Sequence, residues 1–148
     1  MPSSNCPLVI LQIEDSPSDA LLTAFALKDL NNTVHSVPDG KQALVFLRQS
    51  AAFADAPRPD LILLDLELPG MNGFDVLNFI KSDAALKSIP VVVFSTLDTG
   101  ESHLRATQNG ANSYVVKPGD FAKFTAVVQS IALYWSDILG FLPRHAVC

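Results

Sequence analysis

Polar side chains that could hold a cation and a phosphate follow four short apolar runs of the sequence. Glu14 and Asp15 follow the first run, and Asp65, Ser95 and Lys117 follow or end three others. Carboxylates that lie together repel one another unless a cation, a proton or an ammonium group is shared between them. Mg²⁺ takes oxygen ligands and commonly bridges a carboxylate to a phosphoryl oxygen. If the fold gathers these residues, the pattern predicts a magnesium site beside a nucleophilic carboxylate, that of Asp65.

Strands that would position these side chains are predicted from continuous hydrophobicity. The predicted strands cover residues 8–13, 60–64, 90–94 and 113–116, with a weaker candidate at 33–37. Short runs without polar alternation are typical of strands covered on both faces, as in parallel sheets. The weaker candidate is expected at or near an edge.

Helix signals fill the gaps between the strands. Ser16 can cap a first helix that begins with Pro17 and has an acid at Asp19. Further helices are predicted from about residues 40, 73 and 100, and a long fifth helix follows Pro118. The apolar face of the first helix is predicted to contain Leu22, Phe25, Ala26 and Leu30. The stripe of the fifth contains Phe121, Phe124, Val128, Ile131, Trp135 and Ile138.

Alternating strands and helices predict an α/β fold. We expect a flavodoxin-like, doubly wound, five-stranded parallel sheet with helices on both faces, (βα)5. Ligands of such sheets bind outside the carboxyl ends of the strands, where the polar residues lie. Gly70, Asn72 and Gly73 are expected to serve turn geometry, including positive φ. His35, His103 and His145 are expected at the surface without a metal or acid–base role.

Size and charge limit the classes of function. The 148 residues, 49% of them hydrophobic, are expected to form one domain over 1–148, with a core at about 7–140 and no output domain. A net charge of −5 disfavours nucleic acid and anionic membrane surfaces as partners. Neither a signal peptide nor a membrane span of about 20 apolar residues is evident, so a cytoplasmic location is expected.

Four motifs in a fixed order resemble the receiver domain of bacterial two-component response regulators. They are Ile-Glu-Asp at 13–15, Leu-Asp-Leu-Glu-Leu-Pro-Gly-Met-Asn-Gly at 64–73, Pro-Val-Val-Val-Phe-Ser-Thr at 90–96 and Gly-Ala-Asn-Ser-Tyr-Val-Val-Lys-Pro at 110–118. The resemblance implies that Asp65 accepts a phosphoryl group from the phosphohistidine of a sensor histidine kinase. It implies no enzyme activity beyond the protein's own phosphorylation and dephosphorylation.

The resemblance also implies ligands for the cation. Asp15 and Asp65 would bind Mg²⁺ directly, Glu14 would act through a metal-bound water, and the backbone carbonyl of Glu67 would complete the protein ligands. Mn²⁺ or Ca²⁺ could replace Mg²⁺.

The same resemblance assigns a phosphate-sensing set. Ser95 would bond a phosphoryl oxygen, Lys117 would pair with the phosphate, and a cis Lys117–Pro118 peptide would aim the ammonium inward. Tyr114 would be the aromatic switch residue. Phosphorylation would then alter the surface of the fourth helix, fifth strand and fifth helix.

The end of the chain resembles a narrower group. The segment Tyr-Trp-Ser-Asp-Ile-Leu-Gly-Phe-Leu-Pro at 134–143 is similar to the tail of stand-alone receivers that pair with bacterial phytochromes. It implies a light-regulated kinase as partner and a homodimer. The apolar stripe could equally be ordinary packing against the sheet, with a dimer surface of Tyr134, Trp135, Ile138 and Phe141 as the alternative.

Two other classes of function use a similar sheet. A Mg²⁺-dependent phosphatase of the haloacid dehalogenase type would carry Asp-x-Asp after a strand, whereas this chain has Asp65-Leu66-Glu67. A flavodoxin-like binding module would carry a glycine- and hydroxyl-rich phosphate loop after the first strand, where this chain has Glu14 and Asp15.

Overall fold

The computed structural model describes residues 7–140. The strands are β1 Val9–Ile13, β2 Thr33–Val37, β3 Leu61–Leu64, β4 Val91–Ser95 and β5 Ser113–Val116. The helices are α1 Pro17–Lys28, α2 Gly40–Leu47, α3 Gly73–Ser82, α4 Gly100–Gln108 and α5 Phe121–Gly140, with a short 3-10 helix at Ala51–Phe53. Each predicted strand and helix is therefore confirmed, and the connection expected over residues 50–59 contains the 3-10 turn.

All five strands form one parallel sheet. Their order is β2-β1-β3-β4-β5, so the weakly predicted β2 lies at an edge, as expected. The chain adds β2 on one side of β1 and β3 on the other. This reversal of direction opens a crevice at the carboxyl ends of β1 and β3, the usual ligand position in open α/β sheets.

Two hydrophobic clusters cover the two faces of the sheet. Neighbouring strand residues alternate between the clusters: Leu11 and Ile62 belong to one, whereas Ile10 and Leu61 belong to the other. This is the period of two expected for side chains along a strand. The first cluster includes side chains of α2 and α3, and the second includes side chains of α1 and α5.

Side-chain caps fix where the helices begin. Ser16, Asp39 and Asn72 each accept a hydrogen bond from the backbone N–H three residues later. Thr99 and Ser102 form a reciprocal capping box at the start of α4. Such caps satisfy N–H groups that the first helical turn leaves without partners.

The predicted apolar faces of two helices are partly wrong. In α1 the predicted Ala26 is buried, but Phe25 is 73% exposed, and Thr23 and Leu27, which were not predicted, are buried as well. In α5, Phe121 is 65% and Ile138 41% exposed. Apolar side chains cover so much of each helix that their spacing does not define which face is buried. The buried face is defined instead by the contacts that α1 and α5 make with each other and with the sheet. No helix among the described residues is long and apolar enough to cross a membrane.

Candidate functional site

Three carboxylates meet at the carboxyl ends of β1 and β3. The register pairs Ile13 with Leu64, so the residues that follow, Glu14 and Asp65, are neighbours at the end of the sheet. With Asp15, they offer carboxylate oxygens that all lie within 4.8 Å of one another. Glu14 and Asp65 are each 7% exposed, and Asp15 is exposed.

This donor set fits a hard divalent cation. Mg²⁺ prefers oxygen ligands and keeps several waters, and a cluster with two buried acids and one exposed acid offers both protein oxygens and access to solvent. The segment after Asp65 contains Glu67, whose backbone carbonyl is the remaining predicted ligand of the cation. There the Glu67 N–H donates to Asp65 Oδ1 at 3.0 Å, and the Glu67 side chain accepts a hydrogen bond of 2.9 Å from the Thr96 hydroxyl.

One buried lysine faces the acids. Lys117 Nζ donates to Glu14, to Asp19 Oδ2 at 2.9 Å and to Asp65 Oδ2 at 3.1 Å. Its backbone N–H donates to the Ser95 carbonyl at 2.8 Å, which places Lys117 at the end of β5 beside β4. The expectation of a cis Lys117–Pro118 peptide is wrong, because no peptide bond within the described residues is cis. The strand end and its ion pairs direct the ammonium inward with a trans bond.

The cluster carries more negative than positive charge. The pKa of Glu14 is raised to about 7, chiefly by burial and also by the nearby charge of Asp65, against the opposing hydrogen bond and charge of Lys117. Burial by itself lowers the pKa of Lys117, but hydrogen bonds to Glu14 and Asp19 and the charge of Asp65 outweigh it, so the pKa lies above its ordinary value. The ammonium therefore stays charged, and a divalent cation would supply the positive charge that the acids still lack.

Asp19 also belongs to this site, although the sequence predicted for it only a place at the start of a helix. It lies in the first turn of α1, which begins next to Glu14 and Asp15. This position could have indicated that Asp19 belongs to the site, because the first turn of α1 lies at the same end of the sheet as Glu14 and Asp15. The residue that it meets is 98 positions away in the chain, which no local pattern reveals.

Gly73 allows α3 to begin close to the acceptor segment. A Cβ atom at this position would lie 2.5 Å from Leu66 Cα and 2.6 Å from the Asp65 carbonyl oxygen. The expectation of positive φ holds for Gly70, whose φ is 75°. For Asn72 and Gly73 it is wrong, since Asn72 is a helix cap and Gly73 is required for close approach of the backbone.

Leu97 joins the two predicted switch residues. Its N–H donates to the hydroxyl of the fully buried Ser95 at 3.2 Å, and its carbonyl accepts a hydrogen bond from the Tyr114 hydroxyl. The Tyr114 hydroxyl also lies 3.0 Å from Ser102 Oγ. His103, expected to be an ordinary surface residue, is only partly exposed and stacks on the Tyr114 ring with centroids 3.8 Å apart. The network was not predicted, because its contacts form only when α4 packs beside β5.

Comparison with known proteins identifies the family. Residues 10–129 match the response regulator receiver domain. The chain belongs to this family. It is a receiver domain of two-component signalling, with the flavodoxin-like fold that its sequence predicted.

Relatives of this receiver domain cover most of its length. Response regulator Rcp1 of Synechocystis sp. is 37% identical over 136 residues, which are 90% of this chain and 92% of Rcp1. The Mn²⁺-bound form of Rcp1 has a TM-score of 0.86 at 36% identity and covers 93% of this chain and 100% of Rcp1. The phosphorylated cyanobacterial phytochrome response regulator RcpA has a TM-score of 0.84 at 38% identity and covers 88% of this chain and 94% of RcpA.

The predicted site residues of the receiver domain fall into two groups. Glu14, Asp15, Asp65 and Lys117 come together at the end of the sheet. Ser95 and Tyr114 belong to the adjoining network through Leu97. On the predicted dimer surface, Tyr134 is 58% exposed and Trp135 is partly buried, whereas Phe141 lies outside the described residues, as does His145.

Proposed function

We propose that Asp65 accepts a phosphoryl group from the phosphohistidine of a sensor histidine kinase. The observation that carries this proposal is the surroundings of Asp65: a buried ammonium 3.1 Å away and two neighbouring carboxylates able to share a divalent cation. The cation would be Mg²⁺, which Asp15, Asp65 and the Glu67 carbonyl would hold, with Glu14 acting through a bound water. The protein performs only its own phosphorylation and dephosphorylation and works in the cytoplasm.

The transfer is a displacement at phosphorus. A carboxylate oxygen of Asp65 forms the new P–O bond, the P–N bond to the kinase histidine breaks, and the imidazole keeps the electron pair. Bound Mg²⁺ would neutralise charge on the phosphoryl oxygens. Lys117 passes its hydrogen bond from Asp65 to a phosphoryl oxygen, so its charge is already in place when the transition state forms. Water later hydrolyses the acyl phosphate and ends the signal.

The hydrogen bonds of Leu97 with Ser95 and Tyr114 explain how phosphorylation would alter a distant surface. The phosphoryl group adds a charge of about −1.5 to −2 and three acceptor oxygens. When the Ser95 hydroxyl turns to donate to one of them, the Leu97 N–H loses its acceptor. The backbone at Leu97 is then released and shifts, so its carbonyl moves away from the Tyr114 hydroxyl and the ring changes position. The surface formed by α4, β5 and α5 is therefore the signalling output.

Stoichiometry tests this function against the phosphatase alternative. With Mg²⁺ and excess acetyl phosphate, we expect intact-mass measurement to show one added phosphoryl group per chain, and removal of the cation to prevent the addition. Sustained hydrolysis of excess phosphate esters such as p-nitrophenyl phosphate, without a labelled protein, would favour the phosphatase. A yellow purified protein would favour flavin binding.

A bacterial phytochrome is the proposed source of the phosphoryl group. RcpA, described as a phytochrome response regulator, is 38% identical to this chain, and Rcp1 is 37% identical. Phosphotransfer from a panel of autophosphorylated sensor kinases at equal concentration tests the choice. Transfer from a phytochrome-type kinase is expected to be the fastest.

We also propose that α5 pairs two copies of the receiver domain. Tyr134 and Ile138 are exposed apolar side chains on one helix, 58% and 41% exposed, and Trp135 lies between them in sequence. Tyr134 and Trp135 also line an apolar groove beside the edge strand β5. Buried aromatic side chains often dominate binding at such surfaces.

Substitution within α5 tests the dimer. Tyr134→Ser combined with Ile138→Ser is expected to weaken self-association about tenfold or more, because both apolar contacts are lost. Phe25→Ser is a matched control, since Phe25 is an aromatic residue on α1 that is 73% exposed. Analytical ultracentrifugation over a range of concentrations, before and after phosphorylation, measures the effect. A wild-type protein that is monomeric throughout would contradict the proposal.

A further inference from the structure

Lys117 has a third carboxylate partner besides two of the three acids of the cation cluster. An ammonium group has three N–H donors. Those of Lys117 go to Glu14, Asp19 and Asp65. The three acceptors lie on separate parts of the chain, after β1, within α1 and after β3. Lys117 is thus anchored from three sides.

Asp19 closes the solvent side of this arrangement. The Lys117 side chain is 4% exposed, whereas that of Asp19 is 30% exposed. Both residues line a groove of about 310 Å³ that also contacts Thr96 and Phe121. Without the Asp19 carboxylate, the third N–H of Lys117 would turn toward water in this groove. The ammonium would then spend less time directed at Asp65.

Asp19 also lies where an acid stabilises a helix without any specific partner. An acid in the first turn of a helix stabilises the helix through its dipole, whatever it contacts. Asp19 is the third residue of α1, and its N–H donates to the cap Ser16 at 3.3 Å. Asp75 occupies the same position in α3, where its N–H donates to the cap Asn72 at 3.0 Å. Of these two first-turn acids, only Asp19 forms an ion pair within residues 7–140, so the helix dipole does not explain its contact with Lys117.

We infer that Asp19 is a positioning residue for phosphoryl transfer, acting through Lys117. It holds the ammonium in place while the hydrogen bond to Asp65 passes to a phosphoryl oxygen, with Glu14 as the second fixed anchor. This inference rests on the proposed function of Asp65. It assigns to Asp19 no bond to the phosphoryl group and no place among the cation ligands.

A double-mutant cycle tests the inference by the initial rate of labelling with acetyl phosphate at saturating Mg²⁺. We expect Asp19→Ala to slow labelling about three- to tenfold, since the ammonium is less well oriented. Asp19→Asn, which keeps an acceptor for Lys117, is expected to stay within about twofold of wild type. In a Lys117→Ala background, Asp19→Ala is expected to have no further effect, because the residue through which it acts is gone. Asp75→Ala, matched in helix position, is expected to label at the wild-type rate.

Other results would overturn the inference. If the charge of Asp19 merely repelled the anionic donor, Asp19→Ala and Asp19→Asn would both label faster than wild type. An equal slowing with and without Lys117, or the same slowing in Asp75→Ala, would reduce Asp19 to a helix-stabilising acid. Thermal unfolding of each variant shows whether it is folded. If Asp19→Ala is unfolded, the labelling rate of Asp19→Asn still shows whether removal of the charge at this position speeds the reaction. Failure of the proposed function is recognised separately, as the absence of labelling in the wild-type protein.

Discussion

Asp65→Asn is expected to abolish phosphoryl addition, with no mass increase under conditions that label the wild-type protein completely. The amide has nearly the shape of the carboxylate and still offers an oxygen to the Glu67 N–H or to Lys117. It is not a nucleophile toward phosphorus, however, so the rate should fall by about a thousandfold or more. Intact mass after incubation with acetyl phosphate or with a phosphorylated kinase measures the loss.

Two further variants make the result specific to Asp65. Asp75→Asn, an exposed acid on α3, is expected to label normally. Asp15→Asn removes an exposed acid of the cation cluster and is expected to slow labelling at low Mg²⁺ concentrations. Because the nucleophile is still present, labelling is expected to recover at higher Mg²⁺ concentrations. Labelling of Asp65→Asn at the wild-type rate would show that another residue is the acceptor.

Lys117→Ala is expected to lower the free energy of unfolding by about 3–5 kcal/mol in the absence of a divalent cation. The substitution leaves the buried Glu14 and Asp65 carboxylates, each 7% exposed, without their shared positive charge. Mg²⁺ is expected to recover part of the loss, because it supplies positive charge to the same acids. The variant should therefore bind Mg²⁺ at least as tightly as wild type. The response of Tyr114 to phosphorylation of Asp65 should be suppressed.

Lys81→Ala is the control for loss of a partly buried lysine. Lys81 Nζ donates to the Ile89 carbonyl at 2.8 Å and to Asn112 Oδ1 at 2.9 Å, and it has no carboxylate partner among the described residues. Any loss of stability in this variant should not depend on Mg²⁺. Denaturant unfolding with and without the cation, and titration with Mg²⁺, measure both variants. Weaker Mg²⁺ binding by Lys117→Ala would mean that the lysine organises the cation ligands, contrary to our proposal.

Local chemistry allowed much of the fold to be predicted. The caps Ser16 and Asn72 bond to N–H groups only three residues away, so the residues that start α1 and α3 are adjacent in sequence. The strands were recognisable because burial on both faces leaves an unbroken apolar run, as in β3. The acids could be placed together because parallel strands end at the same edge of the sheet.

Packing decided which helix faces are buried. Spacing predicted that Phe25 and Phe121 contribute to the core, yet both side chains are exposed. A helix with apolar residues around most of its surface can be rotated without changing its sequence pattern. The rotation is fixed only when α1 and α5 contact each other and the sheet.

The amino-acid sequence identifies the groups that can do chemistry and the end of the sheet where they lie. Which of these groups touch depends on the folded chain, in which Asp19 shares Lys117 and Leu97 joins Ser95 to Tyr114. These contacts depend on side-chain torsions and on the approach of segments far apart in the chain. No residue type or spacing encodes such distances, because they result from the packing of the whole domain.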